Sequence, residues 1–193
     1  MADINSTLLR AAAPLDGPSR TEADPADRPR TCDLVHLVEL LFFAYRDFTA
    51  EPDEILGQLG FGRAHHRVLH FVHRNPGLRV ADLLDVLGIT KQSLARVLKQ
   101  LVDEGYVVQT RPETDRRERR LHLTEKGTAL ADRLLALQSR RIEAALRNAG
   151  PNAQGAARNF LLAMISDDAR AQVSSLVTER PGRQRDRPQE DSP

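Results

Sequence analysis

Between Val80 and Leu123 the apolar residues change period in mid-run, and that change restricts the fold more than any other feature. Leu83, Leu84 and Leu87, then Leu94, Val97, Leu98, Leu101 and Val102, recur at helical spacing. Gly105 then stands where a helix would end in a C′ residue. Tyr106-Val107-Val108 is aromatic and β-branched, and Leu121-His122-Leu123 alternates. The stretch from Arg111 to Arg120 between them is polar and dominated by Arg. Two short strands around a charged loop, longer than a tight turn needs, predict a β-hairpin directly after two helices.

The rest reads as helix. Leu34, Leu37, Val38, Leu41, Phe42 and Tyr45 mark an amphipathic first helix ending near Ala50, followed by a connection punctuated by Gly57, Gly60 and Gly62. No strand precedes those glycines and they lack dinucleotide-loop spacing, so they hold no nucleotide. A second helix runs from about Arg63 to Arg74 and stops at Asn75-Pro76-Gly77. The third spans Val80 to Leu87, Gly88 turns the chain, Ile89 plugs the turn, and Thr90 caps a fourth helix over Lys91–Glu104. Thr124 caps a fifth helix to about Asn148. Gly150-Pro151 breaks it, and a sixth runs to about Thr178 with Phe160, Leu161, Met164 and Ile165 on its apolar side.

The ends differ from this core. Residues 1–32, with Pro14, Pro18, Pro25 and Pro29, and the tail from Glu179, with Pro181, Pro188 and Pro193, have too few apolar side chains to offset chain entropy. Disorder is expected at 1–32 and 179–193, with no internal repeat between them. The fold class is mainly α with a small β-hairpin: a helical region split between 33–60 and 124–178, and a compact lobe at 61–123.

Charge singles out the lobe. Lys and Arg total 28 against 27 Asp and Glu, yet residues 33–60 hold one basic and six acidic side chains while 61–123 hold twelve and seven. Only the middle of the chain is therefore expected to face a polyanion. A single Cys excludes an internal disulfide framework and a Cys-pair zinc site. No apolar run is long enough to span a bilayer, and no apolar stretch near Met1 reads as a signal peptide, so a cytoplasmic chain without membrane contact is expected. No nucleophile elbow, zincin motif or P-loop is found, and Glu39, Asp47 and Asp53 are scattered over an acidic surface, so no enzyme is expected.

The fourth helix carries the chemistry. Opposite its apolar stripe lie Gln92, Arg96, Lys99 and Gln100, with Ser93 on the flank and Lys91 at the start. A guanidinium matches guanine O6/N7, an amide matches adenine N6/N7, and Ser or Lys can position a phosphate. Their place in the N-terminal half of a helix that follows a short helix and a Gly turn suits insertion into a major groove. In the hairpin, Arg116, Arg117 and Arg119 suit a narrow minor groove, and Asp115 is expected to pair with Arg117 and aim it.

These features resemble the MarR family of winged helix-turn-helix regulators. The resemblance rests on Pro76-Gly77, Leu87-Gly88-Ile89-Thr90, Leu101-Val102-Asp103-Glu104-Gly105-Tyr106-Val107, Asp115-Arg116-Arg117 and Leu123-Thr124-Glu125-Lys126-Gly127, and covers about Leu34 to Leu176. Residues 64–72 are also similar to the family's PetP-type branch. It implies a homodimer interlocked through the first, fifth and sixth helices and binding double-stranded, pseudo-palindromic DNA. Lys91, Gln92, Ser93 and Arg96 would then match recognition-helix positions, and Asp115 and Arg117 the wing pair. Where members usually start the second and third helices with Thr or Ser, this chain has Gly62 and Val80, so backbone or water must satisfy the third helix start.

The resemblance also implies that a small-molecule effector, a metal or a thiol can be the signal. No cofactor is expected. His66, His70 and His73 read as packing or solvated side chains on the second helix, with a metal or haem site as the alternative. Cys32 lies ahead of the first helix, where redox sensing is not expected. A helical protein-interaction adaptor without DNA binding is the other alternative, though it gives the Arg-rich hairpin no purpose.

Overall fold

The computed structural model describes residues 30–111, 118–170 and 173. Of the arm expected to be disordered (1–32), residues 1–29 lie outside the described residues, whereas Thr31 and Cys32 already belong to the first helix; the tail from 179 and the positions Asp115, Arg116 and Arg117 lie outside as well.

Among the described residues the main elements follow in the order α1 (Thr31–Gln58), α2 (Arg63–Arg74), β1 (Leu78–Arg79), α3 (Val80–Leu87), α4 (Lys91–Asp103), β2 (Val107–Thr110), β3 (Arg120–Leu123), α5 (Glu125–Ala149) and α6 (Ala153–Met164). The sheet is antiparallel in the order β1-β3-β2. Val107 pairs with Leu123 and Thr110 with Arg120 in the hairpin, and Leu78 pairs with Leu121 on the other side of β3. Its core gathers Leu56, Val68, Leu69, Val72, Leu83, Leu94, Leu101, Leu121 and Leu134, all almost wholly buried. The compact lobe thus rests on the last turns of α1 and the first turns of α5.

Three features differ from the sequence expectations. First, α1 does not stop near Ala50 but continues through Pro52 to Gln58, and Gly57 is helical. Proline costs a helix one backbone hydrogen bond. Here Pro52 and Leu56 are buried in the lobe core, and that tertiary packing keeps the helix continuous. Second, α6 ends at Met164 rather than near Thr178. Ile165 is extended, and Ser166 accepts backbone bonds from Ala169 and Arg170. Ser followed by Asp167 and Asp168 is a helix-start signal, so the chain begins a new turn there. Third, β1 adds a strand of two residues, too short to leave a periodic signal.

The helix starts follow the expected chemistry. Thr90 Oγ1 accepts from Ser93 N–H at 3.1 Å and Thr124 Oγ1 from Gly127 N–H at 3.0 Å. Gly62 has no side chain to cap α2, but its own N–H donates to His65 Nδ1 at 3.1 Å. At α3 the N-cap is Arg79, and Val80 N–H donates to the Arg119 carbonyl at 3.1 Å, so backbone satisfies that start.

The N-terminal half of α1 packs differently. Leu34, Val35, Leu37, Val38, Leu40, Leu41, Phe42 and Phe43 are all exposed, Phe42 by 69% and Leu40 by 62%. Phe160, Leu161 and Met164 of α6 are exposed as well, and α6 has no buried residue. This apolar surface wraps α1 on several sides and is left uncovered by the other described elements.

Candidate nucleic-acid interface

Helix α4 is anchored on one face and open on the other. Leu94, Val97, Leu98 and Leu101 are buried, whereas Val102, expected in the same stripe, is 36% exposed at its edge. Gly88 adopts the left-handed conformation (φ 61°, ψ 34°) that turns the chain from α3 into α4. The hydroxyl of Thr90 also donates to Ser93 Oγ at 2.9 Å, tightening the first turn.

On the open face, Lys91, Gln92, Ser93, Arg96 and Lys99 are all exposed. The side chains of Lys91, Gln92 and Arg96 have no hydrogen-bond or ion-pair partner among the described residues. Lys99 forms an ion pair with Asp103 one turn on. Gln100 is not free: its Oε1 faces His65 Nε2 at 2.9 Å and its amide donates to Glu104 Oε1 at 2.9 Å. Of the polar face, the N-terminal two turns stand ready for an external partner, while Gln100 is spent on internal contacts.

The hairpin flanks this face. Arg111 and Arg119 are exposed, and Arg120 pairs with Glu118 at 2.6 Å. Between α3, α4 and the sheet opens a cleft of about 680 Å³ with an apolar floor (Leu84, Leu94, Ala95, Leu98) and Lys91, Lys99 and Arg119 at its rim. Its floor was not foreseen. Ala95 and Val102 sit seven residues apart on one side of α4 and were the available signal.

The histidines are not gathered into a ligand set. His73 Nε2 lies 3.3 Å from Asp132 Oδ1, and His70 meets the Phe71 ring edge-on at 5.3 Å. Burial pushes His66 and His70 below the ordinary histidine range, against the opposing pull of Asp53 on His66. Among the described residues no three His, Cys, Asp or Glu side chains converge to hold a metal. For a metal held by His66, His70 and His73 together, this leaves no three-ligand set among the described residues. Cys32 belongs to the exposed first turn of α1 rather than preceding it, its thiol 3.8 Å from Asp33 Oδ1.

No helix among the described residues is long and apolar enough to cross a membrane. The family model that matches, over residues 59–118, is that of the MarR family, and it covers the lobe as far as the hairpin, ending before β3. The HTH-type transcriptional regulator PetP of Rhodobacter capsulatus is 51% identical over 139 residues, covering 72% of this chain and 84% of that protein. Among solved structures, a MarR transcriptional regulator from Methanosarcina mazei Go1 is 28% identical with a TM-score of 0.56, covering 69% of this chain and 94% of the other. A MarR protein from Peptoclostridium difficile, 18% identical, has the same fold with a TM-score of 0.60 and covers 72% and 91%. With its short helix, Gly turn, exposed polar helix and three-stranded wing, this chain belongs to the MarR family of winged helix-turn-helix transcriptional regulators.

Proposed function

We propose that the chain acts as a homodimer that binds a pseudo-palindromic DNA duplex. The N-terminal half of α4 enters the major groove, and the wing over 110–120 follows the adjacent minor groove. The reading rests most on one observation: Lys91, Gln92 and Arg96 project from a rigidly anchored helix without partners among the described residues. Lys91, Ser93 and Lys99 would position phosphates, and Gln92 and Arg96 would read base edges. Arg119, with Asp115, Arg116 and Arg117 at the tip, would supply the wing contacts.

Dimerisation is supported by the exposed apolar faces of α1 and α6. Residues 33–60 and 124–178 would join the subunits and 61–123 would read DNA. Two-fold symmetry then sets half-sites about 34 Å, one helical turn, apart. The cleft beside α4 has the volume of a small-molecule site, and an effector seated there would compete with DNA for Lys91 and Lys99. Such a regulator works in the cytoplasm, where the duplex is.

Selection of genomic fragments by the purified protein tests this reading. Enrichment of an inverted repeat with half-site centres about one turn apart is expected. Retention of no fragment, even in dilute buffer, would refute it.

A further inference from the structure

Six residues at the far end of α4 form a closed ring, five through their side chains alone and Glu104 through its carboxylate on one side and its main-chain carbonyl on the other. His65 Nδ1 accepts from Gly62 N–H, which leaves the ring proton on Nε2 to donate to Gln100 Oε1 at 2.9 Å. The Gln100 amide then donates to Glu104 Oε1 at 2.9 Å, with the Gly60 carbonyl oxygen 3.4 Å away. The Glu104 carbonyl accepts from Lys126 Nζ at 2.9 Å, and the same ammonium sits 4.0 Å above the Tyr106 ring. Tyr106 meets Phe61 edge-on at 5.1 Å, and Phe61 stacks on His65 at 4.8 Å with 13° between the rings. These residues come from the α1–α2 connection, α2, α4 with its C-terminal turn, the approach to β2, and α5.

The geometry points to His65 as a positioning residue that sets the tilt of the recognition helix against the α1–α2 connection and the start of α5. The inference rests on the DNA-binding reading above. His65 and Gln100 reach α4 near its C-terminus, whereas Arg96 and Lys91 lie toward its start. Lys91 lies about 14 Å along the helix from Gln100 and Arg96 about 6 Å, so a 10° tilt pivoting at Gln100 moves them by about 2 Å and about 1 Å. That is enough to lose base-edge hydrogen bonds, which fail beyond a few tenths of an ångström. A link to α4 from the connection that directly follows α1, and from α5, also ties each reading head to the helices that carry the proposed dimer surface, and so fixes the distance between the two heads.

A merely structural role would lower stability without changing what spacing of half-sites is read, and this separates the two. His65→Phe keeps the stack on Phe61 and removes both hydrogen bonds. His65→Gln can remake both, because Gln at this helix position accepts from the N-cap N–H and still carries a donor. Gln100→Leu breaks the link from α4 without disturbing the start of α2. Each variant is measured against wild type on the selected duplex and on duplexes with half-sites moved one base pair closer or further apart, with a thermal melt as control.

His65→Phe and Gln100→Leu are expected to weaken binding at least tenfold on the natural spacing, to lose most of the preference for it, and to keep the salt dependence. His65→Gln should stay within threefold of wild type. If wild type binds and both disrupting variants keep its affinity and spacing preference, the positioning role is wrong while the DNA-binding reading stands. Equal losses in His65→Phe and His65→Gln, with the spacing preference intact, overturn it as well. If wild type binds no duplex, the DNA-binding reading fails and this inference goes with it.

Discussion

Arg96→Ala isolates what the open face of α4 does. Arg96 is exposed and has no ion-pair or hydrogen-bond partner among the described residues, so its loss removes no internal contact. Alanine is also the better helix former by a few tenths of a kcal/mol, and the melting temperature should stay within about 1 °C of wild type. Binding should respond very differently. A bidentate guanidinium on guanine contributes about 1–3 kcal/mol of discrimination. The proposed dimer would make the contact at two well-separated half-sites whose contributions add, giving about 2–6 kcal/mol and at least a thirtyfold loss. Arg96→Lys keeps the charge without the planar fork and should recover only part of the loss. Fluorescence anisotropy with the selected duplex, titrated at several salt concentrations, measures both variants. An alanine variant within threefold of wild type would refute the base-reading role, and so would a lysine variant that restores full affinity.

Three further outcomes follow from particular contacts. A Cβ on Gly127 would press into the Tyr106 carbonyl and sit 3.3 Å from Leu123 Cβ, so Gly127→Ala should cost about 3 kcal/mol and lower the melting temperature by several degrees; an unchanged melt would contradict the packing at the start of α5. Burial holds His66 and His70 below their ordinary value of 6.5, so the unfolded chain takes up protons first on acidification. Their contribution to stability is therefore complete well above that value and declines as pH falls through it. Melts from about pH 8 to pH 5 should show the decline, and replacing both with Leu should reduce it; identical profiles would contradict the burial of the two rings. Phe42→Asp puts a charge on the most exposed of the large apolar α1 residues and should leave monomers at micromolar concentration by sedimentation, whereas an intact dimer would place the interface elsewhere.

Local chemistry made much of the fold readable. Thr90 and Thr124 cap because a hydroxyl at that position can accept an otherwise unpaired N–H, and Asn75-Pro76-Gly77 stops α2 because proline cannot continue it. The end of α1 was not readable, since Pro52 and Gly57 both signal a break and only burial against the distant lobe overrides them. The strand Leu78–Arg79 exists through its pairing with β3, some forty residues downstream. At the candidate site, the polar face of α4 was legible as a wheel. The use of Gln100 was not, because its partner His65 lies thirty-five positions away and looks like part of a histidine-rich helix face.

The mass of the protein–DNA complex, measured by analytical ultracentrifugation on the selected duplex, bears on all of this at once. Two copies of the chain on one duplex are expected, with both half-sites protected. A single copy per duplex, or free protein and free DNA sedimenting apart at low salt, would contradict the account.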